Sequence, residues 1–388
     1  MAAVADGDLL SAVLAQPDDD SLRIVYADQL EERGELARAT LIRMECALAS
    51  VPPYDARWLQ HWQWLAEHRG ALGLPSLPSG VEWPPLATER GLPSRLRVND
   101  VDTFLTHAAA IFAAAPIRHL HIDARANPFP LARFLASPLL ARITSLQFQL
   151  GRFGADAIEM LENAESVQHL EQLSFEFEGI VDGGLHHLVR SPLAQRLSRL
   201  GLYDNFFLNH GSSLTRAFHD APSLPALRQL ELGRNRLDAE VLRVVLAVVG
   251  NLTALELHDN PLGDDGFRLL AESPSLLHLT NLGLDKTGPR LAGVRALSSA
   301  GGLPALRSLS LRHNRLGPTS ARALAGATLG SELRFLDLSG NVLGDAGVAL
   351  IIASPSFPSL ERADLRDNQL GPETAARAQG WFLETQRR

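Results

Sequence analysis

The chain has 388 residues, of which 46% are apolar and 21% are charged, as in an ordinary soluble folded protein. No apolar run is long enough to cross a bilayer, and the N-terminus, MAAVADGDLL, has no basic segment ahead of an apolar one. The formal net charge is −8 and no basic run occurs, which argues against nucleic acid or an anionic membrane surface as a partner. We therefore expect a cytoplasmic protein.

The single cysteine, Cys46, excludes an internal disulfide framework and a cysteine-rich zinc site. It lies on an apolar helical face and is predicted to be a core residue. Lys286 is the one lysine among 36 basic residues. This arginine bias, together with abundant alanine and leucine, indicates a GC-rich bacterial genome.

Residues 1–50 form the first predicted domain, which is small, helical and acidic. Three segments with helical spacing, DLLSAVLAQ, DSLRIVYADQLEERG and ARATLIRMECALAS, predict its helices. Its ten acidic residues against four arginines form either solvated helix faces or an acidic docking surface. The run DLLSAVLAQPDDDSLRIVYADQLEERG resembles the repeat-companion domain of bacteria with large genomes, although Gln29 stands where that family commonly has tryptophan.

Residues 51–92 are predicted to be a helical and proline-rich cap and linker. Residues 55–69 have the spacing of an amphipathic helix, with Trp58, Trp62 and Leu65 on one face. A proline-rich stretch follows, through Pro85. Because terminal repeats of an array need a cover, we expect this segment to cover the first repeat.

Residues 93–371 contain a recurring motif of the form L-x-x-L-x-L-x-x-N-x-L. Close copies are LRQLELGRNRL from Leu227, LTALELHDNPL from Leu252, LRSLSLRHNRL from Leu306 and LRFLDLSGNVL from Leu333. Weaker copies begin at residues 117, 143, 170, 197, 279 and 360, and a degenerate first copy is expected near Leu96 and Val98. A period of about 27 residues over about ten to eleven copies indicates a repeat array.

Each copy predicts one strand, one turn and one helix. Alternate strand residues point to opposite faces, so Leu230 and Leu232 should lie inward and Glu231 outward. The recurrent asparagines, such as Asn235 and Asn260, would bond to backbone groups where the chain leaves the strand. This order of elements resembles leucine-rich repeats of the ribonuclease-inhibitor type. The resemblance implies an α/β solenoid, with parallel strands on the concave face and helices on the convex face.

Some copies depart from the pattern. Gly151 and Thr287 replace the asparagine in two of them, and the copy from Leu197 is lengthened near Asn209–Ser213, so irregular loops are expected there. Residues 372–388, which include Trp381 and Phe382, are predicted to form a C-terminal cap helix.

The most enzyme-like pattern is formed by His119, His121 and Asp123, three potential metal ligands on alternate residues of one strand and therefore on one exposed face. A metal site needs further ligands and supporting hydrogen bonds, and the neighbouring copy would bring Arg95 and Arg97 close, whose charge opposes a cation. The sequence has no nucleophile elbow, HExxH motif, phosphate loop or dinucleotide fingerprint. We predict a protein that is not an enzyme and that has no cofactor, with these three residues as a weak metal candidate.

The predicted partner-binding surface is the concave face formed by the outward strand residues. Its middle is acidic and its C-terminal end carries arginine, and its aromatic and arginine side chains are of the types that concentrate binding energy. Phe206 is a further aromatic candidate. The residues selected for the site are Tyr203, Glu231, Glu256, His258, Arg312, Phe335, Asp337 and Arg366.

These patterns favour a non-catalytic scaffold or adaptor that binds a protein partner, whose identity and whose pathway are not encoded. Two alternatives stay open. The repeats also resemble those of the Ran GTPase-activating protein, which implies a regulator of a small GTPase by analogy of fold alone. A hydrolase or metalloenzyme built around His119 and Asp123 is the third hypothesis.

Overall fold

The computed structural model describes residues 6–51, 56–125, 129–177, 179–205, 212–299, 301, 303–329 and 331–384. The chain divides into two compact units, Met1–Phe148 with Ala164–Leu170, and Gln149–Asn163 with Glu171–Arg388. Within the described ranges, no helix combines the length and the apolar character that a membrane span requires.

The first unit begins with four helices at the places that the sequence predicts. Asp19 caps the second helix, since its carboxylate accepts hydrogen bonds from the backbone nitrogens of Ser21 and Leu22. The first three helices bury a shared apolar cluster that contains Tyr26 and Leu30. The helices of this unit are α1 Asp6–Ala15, α2 Asp20–Glu32, α3 Leu36–Leu48, α4 Ala56–His68, α5 Val101–Ala114 and α6 Leu131–Leu135, with short 3-10 helices at Arg69–Ala71, Pro138–Arg142 and Glu165–Val167.

The proline-rich stretch of the first unit contains short strands, which the sequence analysis missed. The first strand pairs antiparallel with the fourth, with Val81 opposite Val98. The second and third form a hairpin, and the fourth pairs in parallel with the fifth. The strands are β1 Val81–Glu82, β2 Thr88–Glu89, β3 Leu92–Pro93, β4 Arg95–Val98, β5 His119–Asp123 and β6 Ser145–Gln149.

The second unit consists of consecutive parallel strands, each followed by a helix. Leu230, Leu255, Leu282 and Leu309 occupy equivalent positions of four neighbouring strands, and each is at most 2% exposed. The strands are β7 Gln172–Glu176, β8 Arg199–Gly201, β9 Gln229–Glu231, β10 Ala254–Glu256, β11 Asn281–Gly283, β12 Ser308–Ser310, β13 Phe335–Asp337 and β14 Arg362–Asp364.

The helices of the second unit lie where the sequence predicts helical half-repeats. Asp238 caps one of them through the backbone nitrogens of Glu240 and Val241. The helices are α7 Ala155–Asn163, α8 Asp182–Leu188, α9 Pro192–Arg196, α10 Ser212–Phe218, α11 Ala239–Leu246, α12 Gly263–Glu272, α13 Leu291–Ser298, α14 Pro318–Ala325, α15 Gly344–Ile352 and α16 Pro372–Glu384, with a 3-10 helix at Pro274–Leu276.

The motif asparagines bond to backbone groups where the chain leaves the strand, as predicted, and they also connect consecutive repeats. Asn260 is 1% exposed, and its Oδ1 accepts hydrogen bonds from the backbone nitrogens of Asn235 at 2.9 Å and Leu237 at 3.0 Å. Its Nδ2 donates to the carbonyls of Leu232 at 2.9 Å and Leu257 at 2.8 Å. One side chain therefore satisfies buried backbone groups in its own repeat and in the preceding one.

Thr287 changes this pattern in the copy from Leu279. Its hydroxyl donates to the Leu284 carbonyl at 2.7 Å, but threonine has no amide to extend to the preceding repeat. The backbone contact is kept, since Gly263 N donates to the Thr287 carbonyl at 3.1 Å, as Gly344 N donates to the Asn368 carbonyl in a regular repeat. The expected irregularity is therefore a lost side-chain bridge, while the neighbouring strand and helix persist.

The other predicted irregularities are only partly described. The residues that flank Gly151, Leu150 and Arg152, have positive φ angles of 63° and 48°. Phe206 and most of the predicted insertion, residues 206–211, lie outside the described residues, as do residues 385–388. The side chains of Trp381 and Phe382 on α16 are likewise outside the described part.

Replacing Asn260 by alanine should lower the free energy of unfolding by at least about 2 kcal/mol, because it leaves several buried backbone groups without partners. Denaturant unfolding of the full chain measures this change. The control is Asn251→Ala, because Asn251 is exposed and donates one hydrogen bond, to the Pro225 carbonyl at 3.3 Å. Equal stability of the two variants would contradict the bridging role of Asn260.

Candidate interaction face of the second unit

The candidate site lies on the outer face of the second unit, which we define as the outward residues of strands β7–β14 and of the turns that directly follow them. Alternation places the predicted residues as expected on β8–β10, since Leu230 is buried and Glu231 is partly exposed. Tyr203, Glu231, Glu256 and His258 come together there. The remaining predicted residues, Arg312, Phe335, Asp337 and Arg366, belong to β12–β14 and the turns that follow these strands.

Three rings meet on β7–β10 and form what we call the aromatic cluster, Phe177, Tyr203 and His258. The ring centroids of Tyr203 and His258 are 5.4 Å apart, and those of Phe177 and Tyr203 are 5.5 Å apart in an edge-to-face arrangement. The sequence analysis missed Phe177, which follows its strand with a positive φ of 50°. In a strand, side chains alternate between the two faces. This alternation does not predict the orientation of a residue with a positive φ angle.

Gly233 explains why rings from β8 and β10 meet across β9. A Cβ atom at this position would lie 2.5 Å from two atoms of the His258 ring. The imidazole therefore lies directly over Gly233, in space that any other residue would fill. The missing side chain on the middle strand allows its two neighbours to contact each other.

Three carboxylates lie beside the aromatic cluster and form what we call the acidic row, Glu231, Glu256 and Asp285. Glu231 and Glu256 are direct partners in the parallel register of β9 and β10. The Glu256 carboxylate lies over Gly283, where a Cβ atom would come within 1.7 Å of its Oε2. Burial, followed by repulsion from Glu231 and Asp285, raises the pKa of Glu256 to about 7.

Two members of the acidic row already have partners. Arg199 forms an ion pair with Glu231, and Asp285 Oδ1 accepts hydrogen bonds from the Ser310 hydroxyl and, at 2.9 Å, from the backbone nitrogen of Arg312. The Glu256 carboxylate has no hydrogen bond or ion pair among the described residues. Neither Glu256 nor Asp285 therefore has a cation in direct contact.

The prediction that Asp337 is an accessible contact residue is not supported by its burial, since it is 7% exposed. Its carboxylate accepts hydrogen bonds from Ser339 N at 2.9 Å and from the Ser339 hydroxyl at 2.7 Å, and Arg312 Nε lies 3.7 Å away. These contacts fold the side chain back onto its own turn. Burial raises the pKa of Asp337, and the Ser339 hydrogen bonds oppose the rise.

The arginines of β14 are likewise engaged within the outer face. Arg366 is exposed, and its guanidinium pairs with the Asp364 carboxylate in a fork, with Nε 2.9 Å from Oδ1. Arg362 lies over the ring of Phe335, 5.5 Å from its centroid, which leaves Phe335 partly covered. At this end of the outer face, the arginine side chains therefore already have partners within the face.

The weak metal candidate lies in the first unit, and its members do not converge on a common point. His119 Nε2 is 2.9 Å from Glu89 Oε2, and the Asp123 carboxylate pairs with the Arg125 guanidinium. Asp123 is only 7% exposed, so the expectation of one exposed face for these residues is wrong at Asp123, whose carboxylate turns back to bond Arg125. Over the residues that the structure covers, no group of three or more potential ligands is arranged to hold a metal ion.

The raised pKa of Glu256 makes stability depend on pH. In the folded protein this carboxyl keeps its proton up to about pH 7, whereas an unfolded chain releases it near pH 4.5. Stability should therefore fall as pH rises through this window. Glu256→Gln has no such proton to lose and should be more stable than the wild type at pH 8 by about 2 kcal/mol.

Denaturant unfolding of both proteins at pH 5 and pH 8 measures the effect, with Glu272→Gln on the exposed side of α12 as the control. If Glu256→Gln and the wild type lost stability in parallel between these pH values, the assignment of this titration to Glu256 would be wrong.

The match of a family model agrees with the repeat pattern in part of the chain. A family model described as "Leucine Rich repeat" matches residues 251–271, 303–325 and 332–351. A structural-genomics protein from Bacteroides fragilis is similar with a TM-score of 0.44 at 19% identity, covering 62% of this chain and 71% of that chain. A chain in the crystal structure of the yeast Rad7 and Elc1 complex is similar with a TM-score of 0.42 at 15% identity, covering 96% of this chain and 96% of that chain. No curated protein matches the sequence. The chain carries leucine-rich repeats.

Proposed function

We propose that the protein is a non-catalytic interaction module whose outer face binds a partner protein through the acidic row and the aromatic cluster. The observation that carries this proposal is the Glu256 carboxylate, which is partly buried between two other carboxylates and has no cation in contact. An uncompensated carboxylate in such a place is unfavourable in the free protein. A cationic group from a partner would relieve it.

The charges of the outer face favour a partner segment that is basic. On the outer face, Arg199 balances Glu231, Arg312 lies near Asp337, and Arg366 balances Asp364. Asp285 remains as negative charge near the middle of the strand array, and Glu256 adds a second negative charge once it loses its proton, at about pH 7. Complementary charge across an interface steers association and selects partners.

The aromatic cluster supports arginine or lysine as the contacting group. Arg234 already lies over the Tyr203 ring, 5.9 Å from its centroid, which demonstrates that this ring accepts a guanidinium. A partner side chain that reaches Glu256 would pass the rings of Tyr203 and His258. Aromatic and charged groups together, at the centre of a patch, are typical of residues that dominate binding energy.

A random peptide library displayed on phage and selected against the full chain tests the proposal. We expect enrichment of peptides with arginine or lysine close to an apolar residue, and binding that weakens as salt is raised. Enrichment of acidic or uncharged peptides that bind equally well at high salt would overturn it.

Variants locate the binding site of the enriched peptides. Tyr203→Ala and Glu256→Gln should each raise Kd by at least about fivefold, which corresponds to about 1 kcal/mol. Arg268→Ala on α12 and Arg322→Ala on α14 should leave Kd unchanged, because both side chains lie on helices. Binding lost in the helix variants and kept in the outer-face variants would place the interaction elsewhere. Isothermal titration calorimetry measures Kd for the wild type and for the four variants.

A further inference from the structure

A cavity of about 280 Å³ lies within the first unit, and we call it the tryptophan pocket. It belongs to neither the outer face nor the proposed partner site. Helices α3 and α4, the β2–β3 hairpin and β4 all contribute side chains to it. The lining residues used below are Glu45, Trp58, His61, Trp62, Leu86 and Arg95. This volume is at the lower end for a small-molecule site.

A buried polar pair forms part of the pocket lining. Glu45 and His61 are 5% and 3% exposed, and His61 Nε2 lies 2.8 Å from Glu45 Oε1. Glu45 also accepts hydrogen bonds from the Thr88 hydroxyl and from Gly91 N, both at 2.7 Å. Gly91 has a φ of 79°, and a Cβ there would lie 2.2 Å from the Ile42 backbone. Only glycine allows the hairpin to approach α3 closely enough for this bond.

The pair leaves one buried atom of His61 without a partner. A carboxylate only accepts hydrogen bonds, so Nε2 carries the hydrogen that is shared with Glu45. When the ring is neutral, Nδ1 is an acceptor. Nδ1 is buried and has no hydrogen-bond partner. Buried polar atoms are nearly always satisfied, and an exception calls for an explanation such as a ligand.

The charges around the pocket are paired, with one exception. Glu89 bonds to His119, which lowers the pKa of Glu89 to about 2 against the opposing effect of burial, and Arg90 pairs with Asp20 at 2.9 Å. Glu45 is satisfied by its three donors. The guanidinium of Arg95, which is exposed at the pocket, has no hydrogen bond or ion pair among the described residues. Arg95 is therefore the cationic group of this lining without a hydrogen bond or ion pair in the described part of the chain, although its charge also helps to lower the pKa of Glu89.

Apolar surface is exposed around the same pocket. Trp62 is 44% exposed and Leu86 is 52% exposed, which is unusual for side chains of this size. Trp58 is held in place, since its indole nitrogen donates to the Val51 carbonyl at 3.2 Å. Indole faces next to the exposed Arg95 guanidinium favour a flat ligand with a negative charge.

We infer that the tryptophan pocket binds a small aromatic carboxylate that also carries a hydroxyl or N–H donor. The carboxylate pairs with Arg95, the ring packs against Trp58 and Trp62, and the donor bonds to His61 Nδ1. Arg95 and Trp62 are exposed, and His61 Nδ1 has no partner, whereas Trp58 is already held in place by the Val51 carbonyl. The inference does not depend on the proposed protein-binding function.

Calorimetry with three probes tests the inference on the full chain. The probe 4-hydroxyphenylacetate has all the required groups, phenylacetate lacks the donor, and tyramine replaces the carboxylate by an ammonium. We expect 4-hydroxyphenylacetate to bind, phenylacetate to bind about tenfold more weakly, and tyramine not to bind. Absence of 4-hydroxyphenylacetate binding at about 10 mM, or equal binding of all three probes, would overturn the inference.

Variants and a spectroscopic readout locate the bound probe. Arg95→Gln and Trp62→Ala change exposed side chains, so both variants should fold, and they should weaken binding about tenfold and fivefold. Arg268→Gln, in the other unit, should bind as the wild type does. The ¹⁵N resonance of His61 Nδ1 should shift with 4-hydroxyphenylacetate and not with tyramine. Unchanged affinity in Arg95→Gln, or a His61 resonance that does not respond, would show that the probe binds elsewhere.

Discussion

The hydrogen bonds of the buried motif asparagines are the interaction on which the second unit depends. A strand of three residues followed by a tight turn leaves backbone groups that it cannot satisfy by itself. Asn235, Asn260 and Asn341 supply those partners, and each bonds to groups of two consecutive repeats. Wherever the asparagine is present, one turn is tied to the next in the same way, so the strands stack in register and the outward residues of successive repeats become neighbours. The outer face is a consequence of this regularity.

Glycine at outward strand positions then decides which side chains meet on that face. Gly233 lets the rings of Tyr203 and His258 meet across the strand between them, and Gly283 gives the Glu256 carboxylate a place to lie. The second arrangement has an electrostatic cost, because it buries Glu256 close to Glu231 and Asp285. The regular strand array thus carries one site, formed by the acidic row and the aromatic cluster, that differs from its surroundings in charge and shape. Such a spot is where a partner can be distinguished from other proteins.

In the first unit, a network of polar side chains lies in the interior and not on the face of a strand. Glu45 lies between α3, α4 and the β2–β3 hairpin and bonds to His61, Thr88 and Gly91. A buried carboxylate is tolerated when its acceptors are filled, and these three donors fill them. The same network holds His61 in a position where one ring nitrogen has no partner. In this part of the unit a specific polar contact joins segments that are distant in sequence.

The sequence by itself determined the repeat architecture, the parallel strands, the inward leucines and the first four helices. The strands and their inward leucines follow from an alternation that recurs in about ten copies, and the first four helices follow from helical spacing. The predictions that concern a specific partner, a small GTPase or a companion domain depend on resemblance and stay predictions.

Tertiary structure alone decided how the outward side chains are used. Asp337 and Asp123 have the strand spacing of exposed residues, yet each carboxylate bonds to a residue two positions later and is buried. The short strands β1–β3 have too few residues for a periodic signal, and they form because β4 and α3 offer partners. The contact of Tyr203 with His258 and the bond of Glu45 with His61 join residues that no local pattern relates. The burial and the pairing of these side chains depend on neighbours that the fold brings close to them. The local pattern of a single strand or helix therefore cannot predict them.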